Sequence, residues 1–128
     1  MITNFEEITF ELDQYELETI LPLVILGLKT KVGREKAITN KKATDSLRKL
    51  GIKIGGARFR KIIQYIRVNN LISNLISTSK GYYISNSKTE RRTYLESLAQ
   101  RIQSMTATYD AMEYQHNLES KPIQNTLF

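Results

Sequence analysis

The spacing of apolar positions changes several times along the chain, and each change predicts an element. Ile8, Phe10 and Leu12 alternate with Thr9 and Glu11, the pattern of a short half-buried strand. Asp13 with Glu16 three residues on forms a capping box, so a helix is expected to start near Gln14. Leu17, Ile20, Leu21, Val24 and Leu28 line its core face. Pro22 must kink or divide that helix, because proline lacks the donor and clashes with the preceding turn. Leu23, Ile25 and Leu26 make the segment apolar almost all round, which places it centrally in the core or against a second subunit. Gly33 is expected to end it. Ala37, Ile38 and Thr39 then supply a strand residue pair before Thr39 or Asn40 caps a second helix. That helix turns Ala43, Leu47 and Leu50 inward and carries Lys41, Lys42, Arg48 and Lys49 outside, until Gly51 stops it.

The third helix begins at Gly55 or Gly56 and runs to about Asn69. Phe59, Ile62, Ile63 and Ile66 fall at i, i+3, i+4 and i+7, an apolar stripe that docks on a core. The opposite face carries Ala57, Lys61, Gln64 and Val68, flanked by Arg58 and Tyr65 on one side and Arg60 and Arg67 on the other. No acidic residue interrupts the stretch. Leu75–Thr78 and Tyr82–Ser85, around Ser79-Lys80-Gly81, read as a hairpin with Lys80 at its tip. Ser87 and Glu90 form a second capping box, opening a helix that runs to about Asn117. Leu95, Leu98, Ile102, Met105, Tyr109 and Met112 recur at alternating spacings of three and four, a heptad stripe. This stripe either folds back on its own domain or pairs with a second copy as a homodimer. His116 is expected to face solvent.

Charge sharpens the picture. The net value of +6 conceals three blocks: residues 1–28 hold six acids and no base, 29–92 hold 17 Lys or Arg against three acids, and 93–128 are weakly acidic. A basic middle between acidic ends is a segregated field, suited to a polyanionic partner. With no cysteine, disulfides and thiolate zinc sites are excluded, which suits a reducing, cytoplasmic setting. The longest apolar run, Ile20 to Leu28, is interrupted by Pro22 and too short to span a bilayer, so no membrane association is expected. One histidine, no cysteine and no glycine-rich phosphate loop argue against an enzyme or a cofactor. Glu6, Glu7 and Glu11 do not make a metal site, since alternation along a strand points neighbours apart.

The expected fold class is mainly α with a small β-hairpin (α+β). Three regions follow: 1–86 as the main domain, 87–117 as the long amphipathic helix, and 118–128 as a flexible tail. Helix, helix, turn, helix and hairpin, with a strand pair before the second helix, resembles the winged helix-turn-helix family over roughly Asp13 to Ser85. It looks like small winged-helix proteins of phages and mobile elements. The resemblance implies that the third helix enters the major groove of duplex DNA and that the wing touches the backbone. Carried onto this chain, Ala57, Arg58, Arg60, Lys61 and Gln64 are the base-facing candidates, since Arg pairs with guanine and Gln with adenine edges. Lys41, Lys42, Lys53, Arg67 and Lys80 are candidate phosphate contacts. The glycine start and short wing depart from the family and imply general rather than sequence-specific affinity.

Pro122 closes a linker, and the chain then ends Ile123-Gln124-Asn125-Thr126-Leu127-Phe128. Gln124, Leu127 and Phe128 resemble the key positions of the pentapeptide by which bacterial replication and repair proteins hook the DNA polymerase sliding clamp. Asn125 and Thr126 replace its common leucine and serine or aspartate, which implies weaker capture. Leu127 and Phe128 would fill an apolar pocket, with Gln124 hydrogen-bonding at its edge. The expectation is a replication-associated protein that binds DNA and tethers to the clamp. The alternatives are a dimeric winged-helix transcription regulator and a protein-binding adaptor acting on the replication machinery.

Overall fold

A computed structural model describes residues 11–118. The expected N-terminal strand falls largely outside the described residues. Its last member, Leu12, is buried in the core. The Asp13–Glu16 box forms as expected: the Glu16 amide donates to Asp13 Oδ1 at 2.8 Å and the Asp13 amide to Glu16 Oε1 at 3.0 Å. The helix it opens is not simply kinked at Pro22. Glu16–Ile20 winds as a π-helical turn, with the Leu21 amide donating to Glu16 O, and α1 (Leu21–Lys29) continues from it. Pro22 thereby falls at the second position of α1, directly after the π-turn. Ile20, Leu21, Val24 and Leu28 are buried.

Thr30, not Gly33, ends α1; its amide and hydroxyl both reach Gly27 O. Gly33 belongs to the connection that edges the hairpin, its amide donating to Ile84 O at 3.0 Å. A 3₁₀ turn (Arg34–Lys36) follows, and Ile38 pairs antiparallel with Tyr82, the single strand pair the pattern predicts. Helix α2 (Asn40–Lys49) starts at Thr39, whose Oγ1 accepts from the Lys42 amide. Ala43 and Leu47 point inward, but Leu50 is exposed: it lies beyond the last helical turn, where the 100° step no longer holds. Gly51 adopts the positive φ of a C′ residue, and Ile52 fills the core instead.

Helix α3 (Gly56–Val68) buries Phe59, Ile62, Ile63 and Ile66 almost completely, each contributing about 2–3 kcal/mol of apolar transfer. Strands β1 (Leu75–Thr78) and β2 (Gly81–Ile84) form an antiparallel hairpin with Leu75 opposite Ile84 and Thr78 opposite Gly81. Gly81 has φ 119°, and a Cβ there would lie 2.3 Å from Ile38 O, so the close approach of the 37–39 segment requires glycine. Helix α4 (Lys88–His116) is the last element among the described residues. Ser87 Oγ accepts from the Glu90 amide as expected, but the Glu90 carboxylate turns to the buried Tyr83 hydroxyl at 2.7 Å and to Ser85 Oγ. Burial, then the hydrogen bond and charge of Glu90, push the Tyr83 hydroxyl above its ordinary pKa.

The protein is thus mainly helical with one small hairpin. It divides into two units, one reaching Tyr94 and one beginning at Leu95. Among the described residues no helix is long and apolar enough to cross a membrane.

Candidate nucleic-acid interface

The expected DNA-facing residues are spread over the first turn of α2, the length of α3, the turn before it and the hairpin tip. Gly55 caps α3 with backbone alone, so the amides of its first turn have no side-chain acceptor. Asn40, the first residue of α2, bonds through Nδ2 to Gly56 O at 3.5 Å and to the Tyr82 hydroxyl at 3.3 Å. One side chain therefore ties the start of α2, the start of α3 and the hairpin. Tyr82 also meets Phe59 with ring centroids 5.9 Å apart. Asn40 was legible only as a helix cap; its linking role depends on partners 16 and 42 residues away.

Of the expected contacts, Lys42, Lys53, Arg60, Gln64 and Lys80 are exposed and Lys61 is half-buried. The Arg60 guanidinium lies beside Gly56, and Lys61 Nζ bonds Gln64 Oε1 at 3.3 Å. Lys80 sits at the hairpin tip, its amide held by Thr78 Oγ1. Lys41 makes only a 3.8 Å contact with Asp45, an exposed pair worth little. Among the described residues the ion pairs are Lys41–Asp45, Arg48–Asp45 and Arg58–Glu16. Lys42, Lys53, Arg60, Lys61 and Lys80 accordingly have no carboxylate partner there. Arg34, Lys36, Lys88 and Arg92 are exposed cations as well, so the positive field extends beyond this face.

Three expected contacts are placed differently. Ala57 is buried, because the first turn of α3 is enclosed by Asn40 on one side and the Glu16 turn on the other. Arg58 does not face outward: its Nε donates to Glu16 Oε2 at 2.9 Å, and Nη2 reaches Glu16 Oε1 and Glu11 O. Burial works to raise the Glu16 carboxyl, but the Arg58 hydrogen bond, the Asp13 amide and the guanidinium charge outweigh it and hold it below its ordinary value. Arg67 is half-buried and committed to the hairpin. It donates to Leu75 O at 3.0 Å and Ser77 Oγ at 3.3 Å, and lies 5.9 and 5.4 Å from the Tyr82 and Tyr94 ring centroids. Arg58 and Arg67 act as fasteners of the face rather than parts of it.

Of the expected seam residues, Leu95, Ile102, Met105, Tyr109 and Met112 are exposed and Leu98 is half-buried. Gln124, Leu127 and Phe128 lie outside the described residues. Among the described residues no cluster of His, Cys, Asp or Glu is arranged to hold a metal ion. Comparison with protein-family models, with curated proteins and with solved structures finds no match.

Proposed function

We propose that this is a non-enzymatic, replication-associated DNA-binding protein with a winged-helix unit that grips duplex DNA. In this reading its C-terminal Gln124-x-x-Leu127-Phe128 tethers it to the polymerase sliding clamp. The observation that carries the DNA half is the group of Lys42, Lys53, Arg60, Lys61 and Lys80 without acidic partners, beside a helix start whose amides lack a side-chain cap. Gln64 is the remaining exposed polar residue on the outer face of α3. The clamp half rests on the tail sequence alone. Two weak attachments joined by a linker raise each other's effective concentration, which compensates for modest affinity at either site.

These five cations, each neutralising one phosphate, predict a slope of about −4.5 for log affinity against log salt. Arg60→Ala with Lys61→Ala should make that slope shallower by roughly 1–2. Immobilised clamp should retain the full chain and release the Leu127→Ala/Phe128→Ala variant. Salt-independent or absent DNA binding would turn the reading toward a protein-binding adaptor. DNA binding without clamp retention would favour a dimeric transcription regulator, a reading to which the exposed stripe of α4 lends support.

A further inference from the structure

We infer that α4 is a self-association element, with Leu95, Leu98, Ile102, Met105, Tyr109 and Met112 forming a seam against the same helix of a second copy of this chain. The inference does not depend on the DNA reading. Five of these six side chains are 56–73% exposed and Leu98 is half-buried, so from Ile102 to Met112 the stripe lies open to water. Their alternation of three and four residues is a 3.5 period, which packs continuously only against another helix of the same period. A second copy supplies that period by construction.

The seam is also chemically ready for burial. Its one polar side-chain atom, the Tyr109 hydroxyl, already donates to Glu113 Oε2 at 2.9 Å, so covering the ring leaves no orphan donor. On the flank, Thr108 Oγ1 donates to Ser104 O, so its hydroxyl is satisfied within the helix. The other flanking positions are Ala99, Arg101, Thr106, Glu113 and Gln115. In a parallel in-register pair Arg101 meets Thr106 and Glu113 meets Thr108, so like charges do not oppose each other. Six side chains of this size in each copy cover on the order of 1,000–1,500 Å² together, enough for a specific interface at the small end of the range. The stripe lasts about two and a half heptads, so the expected dissociation constant is on the order of 10 μM.

Sedimentation of the full chain across roughly 1–200 μM tests this, a span that brackets the expected constant. The mass should rise from 14.8 kDa toward twice that value. Ile102→Asp/Met105→Asp should remain monomeric throughout, with the thermal unfolding of the N-terminal unit unchanged. Gln100→Asp/Gln103→Asp, on the other side of the helix, should still dimerise. A wild-type chain that stays monomeric, or a dimer that survives the seam substitutions, overturns the inference. So does an outer-face variant that loses association equally.

Discussion

Replacing Arg58 by methionine keeps much of the side-chain volume and removes the charge that Glu16 depends on. In the folded protein the Glu16 side chain is 8% exposed and the Arg58 side chain 17%, and the guanidinium engages both carboxylate oxygens. Without Arg58, Glu16 keeps the Asp13 amide as a hydrogen-bond donor but loses its main compensation for burial. Removing one partner of such a pair costs about 3–5 kcal/mol, a large part of the 5–10 kcal/mol or so by which a unit of this size is ordinarily stable. The sign of the pH dependence follows from the direction of the Glu16 shift. A carboxyl held low in the folded state stabilises above its unfolded pKa, and that contribution is lost as pH falls through the folded value. In Arg58→Met burial dominates and the Glu16 pKa rises, so protonation relieves the variant while it weakens the parent. Urea unfolding followed by circular dichroism at about pH 7 and about pH 4 should therefore show a deficit at neutral pH that shrinks in acid. A neutral-pH deficit below about 1 kcal/mol would refute the reasoning, since that is the worth of an exposed pair. A deficit that grows in acid would refute it too. Because Arg58 is placed as a fastener, the folded variant should keep the parent's salt slope for DNA.

Gly81→Ala should cost about 3 kcal/mol, because its positive φ and the 2.3 Å approach of Ile38 O both exclude a Cβ; the shift in urea midpoint checks this. Arg67→Lys keeps the charge but gives up the forked hydrogen bonds to Leu75 and Ser77 and the stacking between Tyr82 and Tyr94. It should lower stability by about 1–2 kcal/mol and speed amide exchange in β1, measured by hydrogen exchange.

The elements were legible where their determinants lie within one turn of chain. The Asp13–Glu16 box, the Thr39 cap, the Gly51 stop and the Ser87 cap are all contacts over three residues or so, and each stands where its sequence signal lies. The stripe Phe59, Ile62, Ile63 and Ile66 was legible because burial along a helix repeats with its pitch. What the chain did not announce depends on distant partners. Arg58 looks like any other cation of its helix until Glu16, 42 residues earlier, is brought alongside. Arg67 is diverted by a hairpin that begins eight residues later and by Tyr94 beyond it. Ala57 lies opposite the stripe by angle, yet the walls around the first turn enclose it. Charge pattern thus marked the basic stretch, while tertiary contacts decided which of its cations are left exposed.

The π-helical turn at Glu16–Ile20 has a consequence beyond seating Pro22. A π-turn holds one residue more than the α-helical turn it replaces, so it advances the phase of the helix by roughly 100°. Glu16, its first residue, is aimed at Arg58; downstream, Leu21, Val24 and Leu28 are aimed into the core. One continuous segment thus serves both targets, with a single extra residue wound between them. The inserted residue works as a phase shifter, and the alignment of the α3 start with the rest of the fold depends on the count of residues there as much as on their chemistry.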